Sequence, residues 1–282
     1  MSRNLTQNQI ASFDSRVKAA YELGGLLRNT VEIADNVVGA THRFNKMGKG
    51  LATRRIDQTD VVPMNITHGN ATATLEDWNA AEYTGIFNQQ KVNYKEQDKL
   101  AKIIANAIGR REDQLILDAL DAAATTLTVS TDIGGVGTDL NTAKIRRAAK
   151  LLNAKGVPRG KGERTFVVSA TGLESLLGDP DATTIDKNLI KALYDGEISH
   201  WVGFEFIMME DRDEGGLPKV GAVRTSFAYH KASAGLAVGI NMRTEVNYIA
   251  QKTSWLANGI FSAGSVAIDA DGIVEVSTTE AA

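Results

Sequence analysis

The sequence predicts an α+β fold, because its helical and strand patterns are segregated along the chain instead of alternating. One long amphipathic pattern occupies residues 93–123, a short mixed block follows, and strand patterns dominate from residue 225 onward. The chain has 282 residues, of which 43% are hydrophobic and 23% are charged. This is ordinary globular composition, sufficient for one large core or two moderate ones.

Composition and charge exclude several classes of protein. The formal net charge is −3, so no global excess of positive charge draws the chain to nucleic acid. The sequence contains no cysteine, which excludes disulfides, thiolate metal sites and cysteine nucleophiles. The polar N-terminal stretch lacks the apolar core of a signal peptide, and residues 253–268 are too short and too polar to cross a bilayer.

The first 38 residues predict an arm that lies on another surface. A weak apolar stripe favours a helix from about Gln7, which Gly24 and Gly25 interrupt, and a second helical stretch over Leu26–Val38. So thin a stripe would be marginal in a free helix.

Residues 39–92 predict an extended hairpin with a basic beginning. The segment "GATHRFNKMGKGLATRR" contains no acid, and Asn65–Thr74 nearly alternates as a strand does. Pro63 places that strand on an edge. Such a hairpin has too few core residues to be stable alone. Its candidate contact residues are Arg43, Lys46, Lys49, Arg54 and Arg55.

Two partners are conceivable for these cations. A nucleic-acid surface would include stacking aromatic residues, and only Phe44 is present. The alternative is a set of carboxylates on another copy of the chain. A compact acidic loop has the right sign, and it contains Glu210, Asp211, Asp213 and Glu214.

The long helix "LAKIIANAIGRREDQLILDALDAA" places Arg111 in its apolar stripe. Arg110 can pair with Asp113 three residues on, but Arg111 has no acid at helical spacing. A guanidinium beside an apolar seam needs acceptors from elsewhere in the fold or from a neighbouring chain. Otherwise its methylenes pack while its head reaches solvent.

The block from 138 to 224 mixes short helices and strands. The patterns predict a helix over Thr142–Lys155 ended by Gly156 and Pro158, and a buried strand over Arg164–Ala170. They also predict a short helix over Gly172–Leu177, capped by Ser169 or Thr171. A further helix over Ile185–Tyr194 and a strand over 200–210 follow. The later strands are expected at Thr225–His230, Leu236–Ile240, Thr244–Ala250, Gly259–Phe261, Ser265–Ile268 and Ile273–Val276.

No motif predicts catalysis, a cofactor or a metal site. The segment "GVPRGKG" departs from phosphate-loop spacing and lacks the hydroxyl residue after its lysine, so a polar turn is favoured. The acidic segments at 211–216 and 269–272 lack the glutamate of a calcium loop. The histidines, His42, His68, His200 and His230, are too scattered to form a ligand set.

Three segments together resemble the major capsid proteins of tailed phages with the Hong Kong 97 fold, in a branch common in short-tailed phages. They are "GLLRNTVEIADNVVGATHRFNKMGKGLATRR", "DVVPMNITHGNATATLEDWNAAEYT" and "AIGRREDQLILDAL". The resemblance covers nearly the whole chain and rests on the order and texture of segments. It implies an N-terminal arm, an extended hairpin called the E-loop, a peripheral domain with a spine helix, and an axial α/β domain. The implied bounds are 1–38 for the arm, 39–92 for the E-loop, 93–137 for the spine-helix part, 138–224 for the axial domain, 225–264 for returning peripheral strands and 265–282 for the last strand and tail.

The resemblance also implies function and partners. The chain would assemble with itself into hexamers and pentamers of an icosahedral shell, in the host bacterial cytoplasm, and reside in the virion. A separate scaffolding protein and a portal are expected, with packaged DNA held without sequence-specific contacts and no membrane partner. The listed cations, the acidic loop and Arg111 would then be contacts between subunits.

Two other functions stay open from sequence. An encapsulin-type cellular shell shares this fold, and purified shells that contain an enzyme instead of DNA would favour it. An α/β enzyme with an unfamiliar site would be favoured by a monomer or small oligomer in light scattering.

Overall fold

A computed structural model describes residues 24–58, 60–86, 96–179 and 201–280, which form a mixed α+β fold with three sheets. The described helices are α1 (Glu96–Asp121), α2 (Thr142–Ala154) and α3 (Ala170–Gly178). The described strands are β1 (Glu32–Ala34), β2 (Thr41–Met47), β3 (His68–Thr74), β4 (Glu76–Gly85), β5 (Thr128–Val129), β6 (Arg164–Ser169), β7 (Glu205–Met209), β8 (Lys219–Val220), β9 (Val223–His230), β10 (Ala234–Ile249), β11 (Ser254–Ala267) and β12 (Ile273–Thr279). Short 3-10 turns occupy Arg28–Thr30, Lys231–Ser233, Ala250–Lys252 and Ala270–Gly272. None of the described helices is long and apolar enough to span a bilayer.

A four-stranded sheet carries the long helix. Its order is β1-β10-β11-β4, with β1 parallel to β10 and the other pairs antiparallel. The apolar stripe of α1 packs on this sheet, where Ile104, Ile108 and Phe261 are buried in one cluster. The predicted helix over 93–123 is therefore confirmed over Glu96–Asp121.

A six-stranded sheet lies between two cores. Its order is β5-β12-β9-β6-β7, and β8 adds to β9. All six residues of β6 are buried, and successive side chains face opposite sides of the sheet. Val167 joins the cluster around α1, whereas Phe166 and Val168 join the cluster around α2.

The third sheet is the predicted hairpin, formed by β2 and β3. Its register pairs Thr41 with Thr74 and Met47 with His68. The ring of Phe44 lies so close to Gly235 that a Cβ there would be 2.7 Å from it. The chain from 48 to 67, which we call the E-loop tip, extends beyond the paired strands without regular secondary structure among its described residues.

The predicted helix over Leu26–Val38 is wrong. This segment instead forms the 3-10 turn and the parallel strand β1. Leu27 and Val31 are fully buried in the chain's own main core, so this part of the predicted arm lies on its own subunit. The local preference for a helix is outweighed here by hydrogen bonds to α1 and by pairing with β10.

Other local predictions are largely confirmed. The helix predicted from Thr142 ends one residue early, and Ser169 caps α3 by accepting from the N–H of Gly172. The strand predicted from residue 200 begins only at Glu205, because residues 201–204 make a tight turn with Val202 and Gly203 at positive φ. The late strands merge into longer ones, since 236–240 and 244–249 both belong to β10.

The division of the chain into domains stays a prediction. The strand β9 crosses the predicted boundary between 224 and 225, and it pairs with β6 and β12 within the six-stranded sheet. The predicted helices near Gln7 and over Ile185–Tyr194 lie outside the described residues.

A lysine is buried beside the apolar cluster around α2. Lys144 has no exposed surface, and its Nζ donates to the carbonyls of Thr138, at 2.5 Å, and Ser277, at 3.1 Å. Burial lowers the pKa of Lys144 from its usual 10.5 to about 8, against the smaller opposing pull of Asp139 and Asp132. The ammonium therefore joins α2 to the end of β12 at a cost in desolvation.

Replacement of Lys144 by Met should remove a pH dependence of stability. The folded pKa is depressed, so between pH 8 and 10.5 the unfolded wild-type chain binds more protons and stability rises with pH. The gain over this window is at most about 3 kcal/mol, at 1.36 kcal/mol per pKa unit. Denaturant unfolding at several pH values measures it. The exposed Lys150→Met on the same helix is the control, and equal pH slopes for both variants would contradict the assignment.

Candidate assembly surfaces

A buried carboxylate in the middle of α1 joins three parts of the chain. Asp113 has no exposed surface and accepts hydrogen bonds from the N–H groups of Leu26, at 3.0 Å, and Leu27, at 2.9 Å. Arg212, in the acidic loop after β7, donates Nη2 to the same carboxylate at 2.9 Å. Burial raises the pKa of Asp113, while the two N–H groups and Arg212 partly offset the rise. The N-terminal segment and the acidic loop are therefore anchored on one side chain.

Neighbouring residues of the same helix extend this anchor. Glu112 accepts from Arg28 at 2.8 Å, and the Oε1 of Gln114 accepts from the N–H of Gly215 at 2.7 Å. At Gly109 a Cβ would lie 2.5 Å from the nitrogen of Gly25, so only glycine lets the two backbones meet. We call residues 109–114 the α1 hub, because its members hold the N-terminal segment and the acidic loop on the helix.

Arg111 finds its partners within its own chain. Its guanidinium carbon lies 3.6 Å from the centroid of the Trp78 ring, and its Nη1 lies 3.6 Å from Glu214. Its buried Nε has no acceptor among the described residues. The guanidinium therefore stacks on an aromatic face of β4, a partner that i±3 and i±4 spacing in the helix could not reveal.

The predicted cations of the E-loop divide into two groups. Lys46 pairs with Asp269 at 2.6 Å, and Lys49 donates to the carbonyl of Lys155 at 2.7 Å, so both attach the hairpin to the body of the subunit. Arg43, Arg54 and Arg55 are exposed and make no ion pair with a described residue. These three remain available for another chain, and their role between subunits stays a prediction.

Most acids of the predicted acidic loop are already paired. Glu210 contacts Arg212 at 3.1 Å, Asp211 contacts Arg224, and Glu214 contacts Arg111. Asp213 is exposed and makes no ion pair with a described residue. A contact of this loop with E-loop cations therefore stays a prediction and would compete with these pairs.

Exposed acids on β4 are better placed to receive cations. Glu76, Asp77 and Glu82 are exposed, and none makes an ion pair with a described residue. The sequence patterns above do not indicate them. Their signal is three acids within a ten-residue strand whose buried positions are few.

The E-loop tip exposes an unusual amount of apolar surface. All described residues from 49 to 70 are exposed. Large apolar side chains in and beside the tip are Met47, Leu51, Ile56, Val61, Val62, Met64 and Ile66, with exposures from 36% to 85%. So many exposed apolar side chains in one segment are typical of an interaction surface.

A second buried ion pair holds the last described residues. Glu280 is 2% exposed. Its carboxylate accepts hydrogen bonds from Arg224 Nε, at 2.6 Å, and from the hydroxyl of Ser169. This cluster fixes the end of the chain against β6 and β9. Sequence offered no signal for it, because the three residues lie far apart along the chain.

The acidic segment at 269–272 and the "GVPRGKG" turn make structural contacts. Asp269 and Asp271 pair with Lys46 and Lys155, and no group of three or more potential ligands is positioned for a metal within the described part of the chain. In the "GVPRGKG" turn the carbonyls of Val157 and Pro158 accept from the buried guanidinium of Arg164.

Solved structures share this fold at low sequence identity. The capsid structure of cyanophage P-SCSP1u matches with a TM-score of 0.71 and 14% identity, over 96% of this chain and 93% of that one. The capsid of Ralstonia phage GP4 matches with a TM-score of 0.73 and 11% identity, over 96% and 95%. The acid-stable capsid structure of Helicobacter pylori bacteriophage KHP30 matches with a TM-score of 0.74 and 10% identity, over 99% and 98%. The fold is therefore that of the Hong Kong 97-like phage capsid proteins.

The sequence itself agrees with the fold. The family model described as phage capsid protein matches residues 5–280, so the chain belongs to the phage capsid protein family. It is a structural major capsid protein of the virion. No curated protein sequence shows significant similarity to it.

Asp113→Asn should destabilise the subunit strongly. The new amide would turn an NH₂ donor toward groups that are all donors, two backbone N–H groups and Arg212. We expect a loss of about 3–5 kcal/mol in unfolding free energy, as when one partner of a buried ion pair is removed. Urea denaturation measures it. Asp118→Asn is the control, since Asp118 is exposed on the same helix. A similar small loss in both variants would show that Asp113 is not an anchor.

A pair of double-mutant cycles separates the two partners of Arg111. The cycle of Arg111→Leu with Trp78→Leu should give a coupling of about 0.5–2 kcal/mol, because the ring is stacked and partly desolvated. The cycle of Arg111→Leu with Glu214→Gln should give about 0–1 kcal/mol, because that pair is long and half-exposed. A larger coupling to Glu214 than to Trp78 would reverse this ranking.

Proposed function

We propose that copies of this chain assemble, through the E-loop tip, into a closed icosahedral shell of hexamers and pentamers around a double-stranded DNA genome. The observation that carries the proposal is the E-loop tip, whose described side chains are exposed although many are large and apolar. A segment of this kind gains stability only when another surface covers it.

The charges of the E-loop support the same contact. Arg54 and Arg55 lie among the apolar residues of the tip and make no ion pair with a described residue. Exposed acids on β4, such as Glu76 and Asp77, have the opposite sign and are available on every copy. Each exposed pair contributes only about 0–1 kcal/mol, but a closed shell repeats the contact in every subunit.

The outer half of β10 offers a second surface. The strand β1 pairs only with residues 235–237, so beyond that point this edge of β10 meets no other described strand. Ile240, Met242, Val246 and Tyr248 are exposed along it. An open edge with apolar side chains is a natural site for contact with another copy.

We propose further partners, which the resemblance to phage capsid proteins implies. A separate scaffolding protein and a portal would act during assembly in the bacterial cytoplasm, and DNA would be enclosed without sequence-specific contacts. Purified particles that contain an enzyme cargo instead of nucleic acid would point to an encapsulin-type shell.

Val61→Ser combined with Val62→Ser should lower the yield of shells and leave the subunit's stability nearly unchanged. Both side chains are exposed, at 85% and 63%, so they contribute little to the isolated fold. Electron microscopy of the expressed protein gives the yield, and urea denaturation gives the stability.

The matched control is Val136→Ser combined with Val220→Ser. These valines are even more exposed, at 94% and 83%, but lie outside the E-loop. Shell yields that fall equally in both double variants, or in neither, would remove the tip from the assembly contact.

A further inference from the structure

The exposed face of α2 and the turn after it form a basic surface outside the assembly contacts proposed above. Every charged residue from 140 to 162 is a cation. This concentration is local, because the whole chain has a net charge of −3. We call the exposed cations Arg147, Lys150, Arg159 and Lys161 the α2 patch; each is exposed and makes no ion pair with a described residue.

The helix sorts its residues so that the cations share one side. Ile145, Ala148, Ala149 and Leu152 are buried against the six-stranded sheet. Arg146, Arg147, Lys150 and Asn153 fall on the opposite, exposed side at three- and four-residue spacing. Adjacent like charges on a helix oppose folding, so this arrangement carries a cost in the free subunit.

A buried arginine fixes the following turn against the helix end. Arg164 has no exposed surface and donates to the carbonyls of Val157, at 2.5 Å, and Pro158, at 2.8 Å, and to Oδ1 of Asn153, at 3.0 Å. Glu163 is the acid at the border, and its half-exposed carboxylate accepts from the N–H of Gly160 at 2.7 Å. The turn that carries Arg159 and Lys161 is therefore tied to Asn153, on the same side of α2 as Lys150.

We propose that the α2 patch binds the phosphate backbone of double-stranded DNA, and that it therefore faces the genome. This inference rests on the proposed function, since it requires a shell that encloses DNA. Phosphates need only Lys and Arg side chains and give no sequence preference. A protein partner would call for aromatic or apolar anchors, and no large apolar side chain from 140 to 162 is exposed.

The test compares two triple variants of the full-length chain. Arg147→Gln with Lys150→Gln and Lys161→Gln removes most of the patch. Lys102→Gln with Arg243→Gln and Lys252→Gln removes three exposed cations elsewhere. Binding of a labelled 30-base-pair duplex is measured over a salt series. The patch variant should bind on the order of tenfold more weakly, and the slope of log affinity against log salt should become shallower by about 2–3, while the control variant stays near wild type.

Two results would overturn the proposal. One is an equal loss of duplex binding in both triple variants, which would reduce the effect to total charge. The other is tight, patch-dependent binding of poly-glutamate with no patch-dependent binding of duplex, which would assign the surface to an acidic protein. Shell formation by the wild-type chain, followed by electron microscopy, tests the proposed function separately. If the wild-type chain forms normal shells but the patch variant binds duplex as tightly as wild type, this inference is wrong and the proposed function stands.

Discussion

The fold depends most on the buried carboxylate of Asp113. It has no access to water, and it replaces its hydration with two backbone N–H groups and one guanidinium. A charge in such a place is tolerated only with a full set of donors, so the residues that supply them are held in position. Leu26 and Leu27 thereby bring the N-terminal segment onto α1, and Arg212 brings the acidic loop. Gly25 and Gly109 allow the close approach that these bonds need.

The body of the subunit is packed around buried clusters, whereas the E-loop tip is not. The four-stranded and six-stranded sheets both contribute to the buried cluster around α1. A second buried ion pair, between Arg224 and Glu280, fixes the last described residues. The E-loop tip has no comparable interior, because its large side chains are exposed and its body contacts end at Lys46 and Lys49. The described chain therefore combines a body whose apolar side chains are largely buried with a projecting segment whose apolar side chains are exposed. This combination suits a protein of the phage capsid family.

Much of the architecture could be predicted from local patterns. The apolar period located α1 and α2 within a few residues, and the serine before α3 gave its cap. The helix expected over Leu26–Val38 failed because Glu32–Ala34 within it pair with Gly235–Ala237 of β10, a strand far along the chain. The partner of Arg111 was open for the same reason, since Trp78 lies on a distant strand. Sequence predicted a partner for the E-loop arginines, but not that most of the acidic loop is already paired within the chain.

The central claim is that the E-loop tip is covered only when subunits assemble, whereas the α1 hub is complete in each one. Hydrogen exchange measured by mass spectrometry on unassembled subunits and on assembled particles tests it directly. Peptides from the middle of α1 should be protected in both samples, because their bonds lie within one chain. Peptides covering residues 48–67 should exchange rapidly in the subunit and slowly in the particle. Equal exchange of the tip in the two samples would contradict the account.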